Sequence, residues 1–598
     1  MVLTSLSNVS SLMKKIFFYC SVLLSPLFSG CNDYLDLKPE DVIESNHYWE
    51  TANASALEQY CNTFYPKLII GQGNPNTDGA MEFISIDCQS DNIYSTGANN
   101  IAWGQNLVTT SDSKWSWSII RGCNEFLNNY QRSPAGESAK NQYAGEIYFF
   151  KALDYFNKVV RFGDVPWYTK PLTTNSPELY QGRNSRYEVM DSILMCLDRA
   201  VELMTKKTNV ARVSKDAALA LKARVCLFEG TWRLYRNLEG SEKFLREAYN
   251  AAGELMKPEY GYSLYNTGNK PYYNLFIQDN YTGNSEIILS KEYDASINMG
   301  HDISRTLPLS NYGMSRDCFE EYLCAKTGLP ISQCSCHKNK SSSIEMRLRD
   351  PRLLQTICNP ADGEDCYYLW KTVNGKRVGG APNIFSYMEG TDDRPYYGTS
   401  TTGYCIAKYY NPAEYVDLRF KGSVDSPIFR YAEILLIRAE AGAELGEDPE
   451  LDKTINLLRK RAGLTFMLSP TPPAEGEDPD MIEKYPDIKG PNAYLIREIR
   501  RERRVELFAE GLRYMDILRW HCGHLLNRPR RGAKSNMYTA KELAYLTDKV
   551  PIKDGFIMPY DLRIDYQPNF TEKNYLFNIP LNEISLNPNL LPQNPGWE

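Results

Sequence analysis

Apolar positions recur at intervals of three and four through most of the chain, the period of helices that bury one face. Tyr143, Ile147, Phe150, Leu153, Phe156 and Val160 form one such stripe, which predicts a long helix. Ser185 followed by Glu188 is a capping box, and it opens a second helix striped by Met190, Ile193, Leu197, Val201 and Met204. Ser214 caps a third, with Leu221, Val225, Phe228, Trp232 and Tyr235 on one face and the small residues Ala220 and Ala223 on the other. A helix with bulk on one side and little on the other suits a place between two neighbours. A fourth helix is expected near Lys243–Met256. Far downstream, Ile434, Ile437, Ala441 and Leu445 predict a helix closed by Gly446, and Ile455, Leu458 and Ala462 another closed by Gly463. Paired amphipathic helices with short links predict degenerate tetratricopeptide-like hairpins, although no strict 34-residue period is kept. The expected fold class is therefore mainly α, with the helical scaffold chiefly in 116–257 and 427–525.

Around 71–115 and 258–426 the period disappears, and Gly, Asn, Pro, Tyr and Thr dominate. These stretches predict long loops with short strands packed against the scaffold, where binding commonly resides. Pro470–Lys489, acidic and proline-rich, predicts an exposed excursion. Pro580, Pro588, Pro592 and Pro595 predict an extended, non-helical tail over 578–597.

The N-terminus decides the compartment. Lys14-Lys15 precede an apolar run, Ile16 to Phe28, that is too short to span a bilayer, and small residues Ser29-Gly30 follow. This is the anatomy of a secretory signal over 1–30, with Met13 as the expected true start. Ser29-Gly30-Cys31 resembles a bacterial lipobox, which implies that Cys31 becomes the lipid-bearing first residue of a mature chain running from 31 to 598 as one domain.

Composition is ordinary for a globular protein, with 42% apolar and 24% charged residues. A net charge of −7 argues against a non-specific nucleic-acid binder. The arginine run Arg497, Arg500, Arg501, Arg503 and Arg504 alternates with Glu498, Glu502, Glu506 and Glu510, so it predicts a structural helix whose charges pair with one another. Val505, Phe508, Leu512, Met515 and Leu518 extend it as the buried stripe. Five histidines leave little for a histidine-based metal centre, and His521-Cys-Gly-His524 lacks a third ligand. Cys318, Cys324, Cys334, Cys336, Cys358 and Cys366 are dense in one segment; in an exported chain, local disulfides are expected there in preference to a metal. HExxH, GxSxG, Walker and GxGxxG motifs are missing, so no catalytic residue and no cofactor are assigned. Paired carboxylates of the glycosidase kind carry no sequence signature, which keeps a surface hydrolase as an alternative.

Four blocks resemble the SusD/RagB family of Bacteroidetes outer-membrane lipoproteins: Cys31-Asn-Asp-Tyr-Leu-Asp-Leu-Lys-Pro39; Phe162-Gly-Asp-Val-Pro166; Ile499 to Leu507 continuing into Gly511-Leu-Arg-Tyr-Met-Asp516-Ile-Leu-Arg-Trp520; and Ile579-Pro580 with Gln593-Asn-Pro-Gly-Trp597. They stand in family order from residue 31 to the end. The resemblance implies a tetratricopeptide-type half packed on a variable half, and capture of oligosaccharides, or peptides in some members. It also implies a lid role on a SusC-type TonB-dependent transporter at the cell surface. Sugars present flat C–H faces and a rim of hydroxyls, so their sites need aromatic rings beside amide and charged groups. Asp91, Asn99, Asn100 and Trp103 have that composition in one loop, where the resemblance places a ligand-facing segment, and Tyr293 and Tyr312 are candidates for the opposite wall.

Overall fold

The computed structural model describes residues 45–76, 81–95, 97–307, 312–338, 340, 345–358, 369–373, 376–380, 400–414, 419–537 and 551–598. Cys31, the signal and Cys366 lie outside them. The fold is mainly α. After α1 (Ala54–Asn62) come α2 (Ser118–Asn129), α3 (Glu137–Phe162), α4 (Arg186–Leu203), α5 (Lys215–Leu234) and α6 (Ser241–Leu255). The second block supplies α7 (Tyr431–Leu445), α8 (Ile455–Ala462), α9 (Ala493–Glu506) and α10 (Arg513–Arg519). Consecutive helices pack as hairpins: α3 on α4, α5 on α6, and α6 in turn on α7.

Local chemistry explains the boundaries. The Ser185/Glu188 capping box is formed, with the Glu188 amide donating to Ser185 Oγ at 3.3 Å and the Ser185 amide to Glu188 Oε2 at 3.0 Å. Ser214 Oγ accepts from the Ala217 amide. α7 and α8 end at Gly446 and Gly463, both left-handed. α5 is buried on nearly all sides, and Phe156 meets Phe228 edge-on at 5.3 Å. One continuous apolar core runs through these helices.

Among the described residues, four two-stranded antiparallel pairs stitch the loop-rich part. β1 (Ile93–Tyr94) pairs with β3 (Gly313–Met314), and β2 (Ile287–Lys291) with β6 (Ser426–Arg430). β4 (Leu369–Val373) and β5 (Lys376–Gly380) form a hairpin, as do β7 (Ile552–Lys553) and β8 (Phe556–Ile557). A second apolar core, which includes Phe319, Tyr404 and Phe508, lies beneath these loops.

Three expectations need correction. The stripe from Val505 to Leu518 is split, because Ala509 (φ 61°) and Gly511 (φ 74°) turn left-handed between α9 and α10. The freed backbone groups are taken up by side chains: Lys408 Nζ donates to the Phe508 carbonyl at 2.7 Å, and Asp87 Oδ2 accepts from the Ala509 amide at 2.7 Å. The tail is not wholly extended either, since Pro580 precedes a short helix, α11 (Leu581–Leu586), that fits between two prolines. The Pro470–Lys489 segment does not run exposed throughout; Lys484 is buried and paired with Glu321 at 2.5 Å.

Among the described residues no helix is long and apolar enough to cross a membrane.

Candidate functional site

The β1–β3 pair joins the two loop regions nominated by sequence, bringing the segment after Asp91 next to Tyr312. Between Asn99 and Gln105 the chain makes a tight turn. Asn99 fastens it: Oδ1 accepts from the Ala102 amide at 3.0 Å and Nδ2 donates to the Cys88 carbonyl at 2.9 Å. Gly104 (φ 66°) closes the turn against the Phe570 backbone, which would lie 2.4 Å from any Cβ placed there. Gly97, Ala98 and Asn100 remain exposed at the tip.

Trp103 was expected to offer an exposed face, and here the structure corrects the sequence. The indole is 1% exposed, because Tyr560 and Tyr566 close over it edge-on, each at 5.2 Å, and the Arg563 guanidinium stands 5.4 Å from the ring. With Tyr94 these rings make a small separate core, a pedestal under the turn. Tyr560 also clamps Ser95, donating to its carbonyl at 2.7 Å and accepting its amide at 3.1 Å. Sequence reasoning missed Tyr560 and Tyr566. They come from more than 450 positions away, and no local pattern ties them to Trp103.

Asp91 is buried too, in a different role from the one expected. Its carboxylate accepts from Arg513 Nε and Nη2, at 2.7 and 2.9 Å, and pairs with Arg504 at 3.0 Å. Burial alone would raise its pKa; the charges of Arg504 and Arg513 outweigh that and hold it well below the usual carboxylate range. A carboxylate so held has no proton to donate and no free oxygen for a sugar. Tyr293 is likewise a packing residue: its hydroxyl donates to the Gly73 carbonyl at 2.7 Å and its ring abuts His301 at 4.6 Å. His301 is buried, which lowers its pKa to about 4, and both ring nitrogens are used, Nε2 donating to the Val424 carbonyl and Nδ1 accepting from the Ile303 amide. Tyr312 stays half-buried beside β3. Of the nominated residues, Asn100 and Tyr312 thus keep surface to offer, while Asp91, Asn99 and Trp103 build the turn's support.

A cleft of about 1100 Å³ opens elsewhere, at the ends of α5 and α7 and the start of α9. Tyr235, Glu444, Asn492, His521 and Glu572 line it, and none of the nominated residues does. Its polar groups largely answer one another: Tyr235 donates to Glu444 at 2.5 Å, and His521 Nε2 lies 2.8 Å from Glu572.

The cysteine expectation also changes. Cys318, Cys324, Cys334 and Cys336 carry free thiols. Cys318 packs in the second core, and the other three converge on one another in place of pairing off.

Comparison with known proteins fits this architecture. The sequence model described as the SusD family matches residues 266–597, and one described as starch-binding associating with outer membrane matches 33–227. SusD-like protein P38 of Formosa agariphila is 24% identical over 529 residues, covering 82% of this chain and 88% of the relative. A SusD-like carbohydrate-binding protein of Bacteroides fragilis superposes with a TM-score of 0.67 at 23% identity, over 91% of this chain and all of the other. Surface glycan-binding protein A of Bacteroides fluxus gives 0.55 at 17% identity, over 91% and 99%.

Proposed function

Because the chain belongs to the SusD family, we propose that it is a cell-surface glycan-binding lipoprotein which captures an oligosaccharide and delivers it to a TonB-dependent outer-membrane transporter of the SusC type, acting as its lid. The observation that carries this reading is that family matches cover both halves of the chain, 33–227 and 266–597, one of them by a family described as starch-binding at the outer membrane. Relatives of the same fold are described as carbohydrate-binding or glycan-binding proteins, which supports a binding role without catalysis. The basic, apolar and small segments ending at Cys31 supply the proposed lipid anchor.

In this reading the exposed turn tip, with Asn100, and the neighbouring Tyr312 face the glycan, and the buried rings of Trp103, Tyr560 and Tyr566 hold the tip in place. A pre-ordered loop loses less entropy on binding than a free one.

Two experiments test the proposal. A glycan array followed by calorimetry should yield an oligosaccharide ligand whose chain length is unchanged after prolonged incubation; shortened products would establish a hydrolase instead. Affinity purification from outer membranes should recover a β-barrel partner, and Cys31→Ala should release the protein from membranes of a strain lacking that partner. Recovery of the lipid-anchored chain alone, under conditions that preserve other barrel complexes, would remove the lid role.

A further inference from the structure

Cys324, Cys334 and Cys336 bring their sulfur atoms together, all within 4.8 Å of one another, although nine residues separate the first from the second. Local backbone bonds create the convergence. The Cys324 amide donates to the Leu329 carbonyl at 2.9 Å, the Gly328 amide to the Cys324 carbonyl at 2.8 Å, and the Cys334 amide to the Pro330 carbonyl at 3.0 Å. Gly328 is left-handed (φ 71°), and the chain folds back there. Inside the loop, the apolar contents are little more than Leu329 and the cysteines themselves. Such a satellite core is too small to hold a loop by burial alone, and loops of that kind in small modules are commonly fastened by a disulfide or a metal.

Three is the number that decides between those two. A disulfide uses two sulfurs and leaves the third as an unpaired thiol beside it. Tetrahedral zinc with Zn–S bonds of about 2.3 Å places its thiolates about 3.8 Å apart, a spacing that three convergent sulfurs reach with small adjustments. The next side chain, His337, stands outside this group, since neither of its ring nitrogens lies within 4.8 Å of all three sulfurs. His337, the residue after Cys336, is buried, and its Nε2 lies 2.6 Å from the Arg347 carbonyl. A carbonyl can only accept, so Nε2 carries the proton and Nδ1 carries the lone pair. That Nδ1 is buried without a hydrogen-bond partner.

We propose that Cys324, Cys334 and Cys336 bind a thiophilic divalent ion of the zinc type as three thiolates, with the fourth position left to water. Each thiol gives up its proton to solvent as its bond to the metal forms, so uptake releases protons and weakens in acid. The role is structural: the ion fastens the 324–336 loop, and it is independent of glycan binding.

The test uses the full-length mature chain in detergent, with zinc, cobalt and cadmium ions as probes. After zinc loading and exhaustive dialysis, metal analysis should find about one zinc per chain. Cobalt should give a thiolate-to-metal charge-transfer band, and the Cys334→Ser/Cys336→Ser double variant should lose both signals. In case that variant unfolds, alkylation of the wild type read by peptide mass spectrometry gives a separate measure. Zinc should protect these three cysteines at least tenfold relative to chelator-treated protein. Peptide mapping that finds any two of the three joined by a disulfide in native protein would overturn the proposal. So would zinc retention below about a tenth of an equivalent with all three thiols equally alkylated in either state.

Discussion

The helical scaffold and the loop-rich half are held together by different forces. In the scaffold, α3 buries Ile147, Phe149, Phe150 and Phe156 against neighbouring helices, and apolar contact carries the structure. In the loop-rich half, much of the fastening is ionic and converges on α9. Glu506, wholly buried, meets Arg352 at 2.8 Å, Arg430 at 2.8 Å and also Arg461. Arg504 reaches Asp91, Asp317 and Glu321, and Arg501 reaches Asp478. On another side of the same helix, Arg503 pairs with Asp516 at 2.9 Å, and Arg500 lies over the rings of Tyr235 and Trp520. The helix is thus a beam between the two halves. Loops without a hydrophobic period have no regular stripe with which to dock, and paired charges add to the second apolar core beneath them. A buried pair contributes less net stability than an apolar contact of similar size, yet losing one partner is expensive. Register is therefore enforced by the penalty for mispairing.

The sharpest way to break this arrangement is Glu506→Ala. It takes one shared carboxylate from three buried guanidinium groups, each of which keeps another acidic partner, so we expect a loss of about 3–5 kcal/mol, with loops and scaffold unfolding in separate transitions. Denaturant titration followed by far-UV and aromatic signals checks both. A loss below about 1 kcal/mol would show that water or rearrangement compensates the arginines. Phe150→Ala is the scaffold counterpart: about 3–5 kcal/mol by cavity formation, with a single transition and little dependence on pH. Trp103→Ala should cost about 3 kcal/mol, and hydrogen exchange should rise mainly over 94–104 and 557–570, the segments its ring joins.

The same contrast explains what could be read from the chain. The long helix was legible from Tyr143 to Val160 because a periodic stripe is local information, and Ser185, Gly446 and Gly463 marked ends by equally local chemistry. The partners of Arg504 were not legible. Its alternation with glutamates suggested pairing along one helix, whereas among these arginines and glutamates the pairing within α9 is Arg501 with Glu498 at 3.2 Å. Asp91 lies more than 400 positions away, and charge complementarity over that separation leaves no pattern. Trp103 shows the limit for the site: composition identifies an aromatic, amide-rich loop but does not say whether Tyr560 will cover the ring. The cysteines show it again, because spacing alone did not reveal three sulfurs at one point.

Acid should separate the halves more gently than mutation. Asp91, Glu321, Glu506 and Glu510 are buried, which would raise their pKa, but neighbouring arginines and lysines override this and lower them. The stability they add is present above the unfolded carboxylate pKa of about 4 and is lost as pH falls further toward the folded values. Asp87 and Asp425 have the opposite sign, raised by burial to about 6 and about 7. Each favours the protonated native form, so their contribution declines as pH rises from about 4 through those values. Stability should accordingly peak near pH 5 and fall on both sides, steeply in acid. The acid limb should register first in tyrosine and tryptophan signals from the loop half. An acid limb of equal midpoint in Glu506→Ala and wild type would contradict the assignment to this network.

The smallest structural effect belongs to Asn100, and it bears most directly on function. Its side chain stands exposed at a turn whose geometry is set by Asn99, Gly104 and the rings below, so the backbone does not depend on it. Asn100→Ala should therefore change stability by no more than about 0.5 kcal/mol, as for surface substitutions generally. If the turn tip faces the glycan, the lost amide removes one or two hydrogen bonds to sugar hydroxyls. Affinity should then fall by about 1 kcal/mol, roughly fivefold, in calorimetry with the oligosaccharide found on the array. The companion variant Tyr312→Phe removes only a hydroxyl on the other side of the β1–β3 pair and should add its effect independently if each contacts a different part of the ligand. Unchanged affinity in both variants, with wild-type melting, would move the binding face away from this turn and toward the cleft lined by Tyr235 and Asn492, where Asn492→Ala is the next substitution to measure.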